Sequence, residues 1–209
     1  MLDGLIDERQ SGVELTDGVE GNARLTGTTG AALFVLLAAE GITILRIHDP
    51  ITLHVFVGMV IVAFVVTKLG SVGYRFVRYY LGDPGYVRKG APHAILRVDG
   101  PVVVLTTTAV LVSGIVGLAS GRSARWLIDL HKASFILWFV AMTVHVLGHI
   151  LDTLRLTTAD YRSARVAGQV PGAWLRRLVA VSTLVTGLVL AVVTINSGWM
   201  DTWTHVVGR

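Results

Sequence analysis

Seven histidines and no cysteine stand in this chain of 209 residues. Thiol catalysis, thiolate metal sites and cysteine-held iron–sulfur clusters are excluded. Metal ligation and proton transfer therefore fall to the imidazoles of His48, His54, His93, His131, His145, His149 and His205. His145 and His149 follow His131 by 14 and 18 residues. At 3.6 residues per turn these steps bring the helix phase back to within about 40° and about 0°. One helix would thus present all three rings on one face. Fourteen residues also rise about 21 Å, so His131 and His145 would serve two separate depths.

The elements that must position these rings are apolar helices. Of the residues 53% are hydrophobic and 15% charged, and the mean hydropathy is +0.65. Soluble domains carry about 25% charged residues, and neither a disordered chain nor a disulfide scaffold fits these figures. Apolar runs of roughly 20 residues, enough to cross a bilayer as helix, are expected near 25–47, 51–67 (continuing towards Tyr80), 101–119, 126–151 and 178–199. The expected architecture is an all-α integral membrane bundle of five transmembrane helices. It divides into a polar tail at 1–24, a four-helix core at 25–155, and a loop, fifth helix and C-terminal tail at 156–209. Pro101 suits the first turn of the third span. No basic region precedes an early apolar stretch, so no cleavable signal peptide is expected.

Five spans place 13 Lys and Arg on the side of the tail, second loop and fourth loop, and 5 on the other. The positive-inside rule predicts a cytoplasmic-membrane protein with its N-terminus in the cytoplasm and its C-terminus outside. The segment Tyr74-Arg75-Phe76-Val77-Arg78-Tyr79-Tyr80 reads as an interfacial anchor. The pI near 9.8 then marks a membrane face, and nucleic acid is not an expected partner.

His54 opens the second span and His131 the fourth. These two spans run parallel, so both rings are expected at the same outer depth. Two neutral imidazoles facing each other across a bundle can hold a haem iron. Gly58, one turn beyond His54, would leave room for a flat porphyrin, and Trp138 would fill the gap between two cofactors. At the inner depth stand His145, His149 and Lys68. There His93 could supply the opposite imidazole, Lys68 could meet a haem propionate or snorkel, and Arg97 could hold a propionate.

The motif His54-Val-Phe-Val-Gly58 with Lys68 at the far end of its span resembles the second helix of the bacterial four-helix cytochromes b. That superfamily includes the cytochrome b subunits of Ni,Fe-hydrogenases and formate dehydrogenases. His131 followed by His145-Val-Leu-Gly-His149 is similar to that family's fourth helix. The resemblance covers roughly 25–155, with the fifth span additional. It implies non-covalent haem b, one or two per chain, with His54 and His131 on one iron and His145 on the other. It also implies electron transfer between quinone and a partner oxidoreductase, without a catalytic domain of its own. The family's second haem takes a histidine from the first helix, whereas this chain has none before His48. No Cys-x-x-Cys-His occurs, which excludes covalent attachment.

Glu40, in the first span, has three readings: a proton carrier for a quinol, a hydrogen-bond partner of a histidine ligand, or a snorkelling carboxylate. Thr106, Thr107 and Thr108 are expected to bond their own helix backbone, and Gly114 and Gly117 to serve helix packing. A second class of function is a haem-free transporter or channel, with Glu40, Lys68 and the histidines as a proton or metal relay. His145 and His149 would then bind zinc or copper. The sequence has no phosphate loop, zinc-protease motif or serine nucleophile elbow.

Overall fold

A computed structural model describes residues 17–45, 51–90, 94–166 and 172–204. All regular structure among them is helical: α1 (Asp17–Leu45), α2 (Ile51–Tyr80), α3 (Pro84–Lys89), α4 (Ala94–Ser120), α5 (Arg125–Val166), α6 (Ala173–Ile195) and α7 (Asp201–Thr204), with a 3₁₀ turn at Gly121–Ala124. Five of these helices carry windows long and apolar enough to span a membrane: Gly18–Leu45, Ile51–Tyr80, Leu96–Ser120, Arg125–Gly148 and Ala173–Ile195. The protein is an all-α membrane-integral bundle. Large apolar side chains point outward along every span, among them Phe34, Val66, Leu105, Phe139 and Val189. In lipid this exposure is the favourable arrangement, because backbone groups are satisfied within each helix and side chains meet hydrocarbon.

Helix boundaries differ from the sequence expectation at three points. Helix α1 begins at Asp17, so the last residues assigned to the tail form its first two turns. Pro101 lies inside α4, not in its first turn. Its missing N–H leaves the Arg97 carbonyl outside the i→i−4 ladder, a defect that membrane helices tolerate. Helix α5 runs 42 residues, about 63 Å at 1.5 Å per residue, so residues 156–166 continue the helix.

The helices pack in the order α6, α2, α1, α5, α4, and α4 closes only lightly onto α2. The most buried apolar cluster joins Leu33 of α1, Val60, Ile61 and Phe64 of α2, and Ala191 of α6. The fifth span is therefore part of the core. A Cβ on Gly187 would sit 3.2 Å from the Cα and carbonyl oxygen of Val60. The α2–α6 crossing is set by that close backbone approach, the small-residue packing that membranes favour. Thr67 and Thr183 share a 2.9 Å hydrogen bond across the same interface. At the far end Trp203 of α7 donates Nε1–H to the Leu118 carbonyl at 3.3 Å, tying the C-terminal turn to α4.

Candidate functional site

His54 stands in the first turn of α2 and His131 in the second turn of α5. Although α1 lies between these helices, the two rings meet, with centroids 6.2 Å apart and planes at 81°. Each ring is held through Nδ1. His54 Nδ1–H donates to Glu40 Oε1 on α1 at 3.0 Å. The Thr43 hydroxyl, which donates to the Glu40 carbonyl at 2.7 Å, stands 3.2 Å from the same nitrogen. His131 Nδ1 lies 2.9 Å from the Val110 carbonyl oxygen on α4. A carbonyl only accepts, so this nitrogen carries the proton. Both imidazoles are thereby fixed as Nδ1–H tautomers. Neither Nε2 makes a hydrogen bond to a described residue. An imidazole anchored at one nitrogen and open at the other is the form that ligates metals.

Two glycines shape the pocket. A Cβ on Gly114 would stand 3.0 Å from His131 Cε1 and Nδ1, so this glycine lets the ring lie against α4. A Cβ on Gly58 would stand 3.3 Å from Glu40 Oε1. The space beside Gly58 is filled by the carboxylate that supports His54, and is not the open porphyrin slot expected from the sequence. Of the three readings of Glu40, the structure has the hydrogen bond to a histidine, with the side chain 14% exposed.

The histidine face of α5 packs on α4. Below His131, Trp138 donates Nε1–H to Thr107 Oγ1 at 3.0 Å and stacks on Phe135 at 5.8 Å. Lower still, His145 Nδ1–H donates to Asp99 Oδ2 at 3.0 Å, and Asp99 is 8% exposed. His131, Trp138 and His145 thus share a face, as expected of them, and its neighbour is the adjacent hairpin partner α4. Trp138 is committed to Thr107 within that seam. Thr106 and Thr108 bond their own helix as expected, whereas Thr107 has turned to the tryptophan.

Lys68 points elsewhere. Its Nζ donates to the Thr26 carbonyl on α1 at 2.7 Å. It occupies the space over Gly30, where a Cβ would stand 2.8 Å from it. Thr26, Ser71 and Asn22 complete a small polar cluster around this lysine. Arg97 is exposed, two residues before Asp99. His93 lies outside the described residues. His149 lies on α5, one turn beyond His145.

Sequence reasoning missed Asp99, Thr43 and the Val110 carbonyl. Asp99 carried a signal, a lone acid at the edge of an apolar run before Gly100-Pro101. The Val110 carbonyl carried none, because every residue has one. Between α4 and α5 a groove of about 830 Å³ opens sideways along Val102, Thr106, Val140 and Ala141, with Asp99 at one end. Among the described residues no group of three or more His, Cys, Asp or Glu converges as a metal cage. No family model, curated protein or solved structure matches this chain.

Proposed function

We propose that this protein is a membrane b-type cytochrome in which His54 and His131 hold one haem b. It would carry electrons between the quinone pool and a partner oxidoreductase. The observation behind this reading is the pair of adjoining imidazoles, with centroids 6.2 Å apart and planes at 81°, each anchored at Nδ1 on a different helix. A metal–imidazole bond is about 2 Å, so a centroid separation of 6.2 Å would admit one metal ion between the two rings. Two nitrogen ligands alone would underfill a zinc or copper site. They suit an iron whose other four ligands come from a macrocycle. This weighs the cytochrome above the metal-relay reading.

When bound, haem supplies the one-electron chemistry that side chains lack. The chain contributes the rest. Val110 and Glu40 fix ring orientation and tautomer, and the Glu40 carboxylate makes His54 the stronger donor. Apolar helices exclude water and keep the dielectric low. His145, held by Asp99 in the same manner, is the inner ligand candidate, with its opposite ligand sought at His93 or His149. Arg97 stands at that end for a propionate, while Lys68 is engaged with α1. The α4–α5 groove suits a quinone ring, being apolar, open to lipid and ended by a buried carboxylate. By the positive-inside count the protein sits in the cytoplasmic membrane with its N-terminus inside, and the His54–His131 pair lies in the outer half.

A reduced-minus-oxidised spectrum of the detergent-purified protein, with pyridine haemochrome quantitation, tests this reading. A b-type α-band at one haem per chain, lost in His54→Ala and in His131→Ala, supports it. Two per chain would assign His145 a haem as well. Colourless protein from haem-replete cells would sink it in favour of the relay.

A further inference from the structure

The aromatic–basic segment at the end of α2 plays no part in the proposed haem site. Its chain turns sharply after Tyr80, with Gly82 at φ 77°. Asp83 caps α3, its carboxylate accepting from the Gly85 N–H at 2.9 Å and the Tyr86 N–H at 3.4 Å. The turn is stapled twice, by the Arg78–Asp83 ion pair and by the edge-on contact of Tyr74 with buried Tyr86, 6.0 Å between centroids. The result is a short strap, α3, folded back beside the end of α2.

Five basic residues stand at this end of the bundle: Arg24 on α1, Arg75 and Arg78 on α2, and Arg88 and Lys89 on α3. Three have partners. Arg24 pairs with Glu20, Arg78 with Asp83, and Arg88 donates Nε–H to the Pro84 carbonyl at 3.1 Å. Arg75 and Lys89 make no hydrogen bond or ion pair with a described residue, yet both are half-buried. Burial, and after it the positive charge of Arg75, push the Lys89 amine below its ordinary value, and Glu20 pulls weakly the other way. Glu20 already serves Arg24. Arg75 adjoins Tyr74, which touches Tyr86 one turn before Lys89, and two half-buried cations on these stapled elements, with no acid of their own among the described residues, suit an anion.

We propose that Arg75 and Lys89 bind the phosphate of an anionic phospholipid headgroup. The location selects a lipid. The pair sits where an apolar span ends, among Tyr74, Tyr79 and Tyr80, the residues that lie at headgroup depth. Exposed Phe76 and Val77 flank it with surface for acyl chains. A phosphodiester would supply the missing charge to both cations and join the strap to the span. The proposal is independent of the haem reading.

The test uses full-length protein in phosphatidylcholine nanodiscs with or without phosphatidylglycerol, with bound lipid read by native mass spectrometry. Preferential retention of phosphatidylglycerol is expected, falling about thirtyfold in Arg75→Gln/Lys89→Gln. The control Arg88→Gln/Arg125→Gln, with the same change in net charge, should retain it, and Arg75→Lys/Lys89→Arg should restore most of it. In unmodified protein, phosphatidylglycerol should slow acylation of the Lys89 amine relative to Lys132, a readout that needs no variant. Equal loss in both double variants would overturn the site, as would unchanged labelling. Protection of Lys89 by inorganic phosphate alone would overturn the lipid assignment. A carbodiimide link from Lys89 to an acid within residues 1–16 would hand the site to the chain's own acidic segment and overturn it too.

Discussion

His54 and His131 are 77 residues apart in the chain, yet their rings stand 6.2 Å apart with nearly perpendicular planes. Neither ring is oriented by its own helix. Glu40 of α1 fixes one and the Val110 carbonyl of α4 fixes the other. Four helices thus meet in one pair of imidazoles, and each prediction about the site follows from one of these supports.

On the proposed cytochrome reading, removing either imidazole would leave the iron with one protein ligand. His54→Ala and His131→Ala should each abolish the b-type α-band of purified protein, and His145→Ala should leave at least the outer haem. Retention of full haem by both single variants would exclude this pair as the axial ligands.

On the cytochrome reading Glu40 acts through His54, to which it is hydrogen-bonded. Glu40→Gln keeps an oxygen acceptor for Nδ1–H but loses the charge, so haem should remain while the midpoint potential rises. Glu40→Ala frees the ring and should weaken haem retention by about 10- to 100-fold, the usual effect of losing such a support. Potentiometric titration of the two variants checks this. A potential in Glu40→Gln equal to that of the parent would refute the donor-strength argument.

Two glycines separate site from scaffold. Gly114→Ala drives a Cβ towards the His131 ring and should lower haem content, with a strain cost of about 1–3 kcal/mol. Gly187→Ala meets the backbone of Val60, which cannot swing aside. It should lower the Tm by parting α2 from α6, while the haem that remains keeps its spectrum. Identical spectral consequences from both changes would contradict the division.

Lys89 gives a pH signature. Its folded pKa is lowered by burial and then by Arg75, from an ordinary 10.5. The unfolded chain therefore keeps this proton to higher pH than the folded one. Stability rises with pH between the lowered value and 10.5 as that difference is relieved. In zwitterionic detergent the Tm of the parent should climb through this alkaline window more than that of Lys89→Gln. Parallel slopes would show that the ammonium is not strained in the fold.

Much of this was legible beforehand because hydrophobicity and helix phase are local. A run of apolar residues long enough to cross hydrocarbon has one stable form, since lipid offers its backbone no other hydrogen-bond partner. That reasoning located five spans, put His131, Trp138 and His145 on one face, and brought His54 to the depth of His131. It erred where a boundary depends on polar continuation. Asp17–Arg24 and 156–166 are helical although their composition marks no membrane. It also took Pro101 as a helix start, because a proline says only that one hydrogen bond is missing.

The sequence by itself determined the membrane class, the number of spans and which side chains could ligate. Partners were decided by the tertiary structure. Glu40 could have turned to lipid or to the interface, and its partner was decided when Gly58 left a gap beside His54 of the size its carboxylate fills. Lys68 could have joined the inner histidines, but Gly30 admitted it to the Thr26 carbonyl on α1. Periodicity tells which way a side chain faces along its own helix. What it faces depends on how neighbouring helices approach, and that is set by contacts between residues far apart in the chain, which no local pattern records.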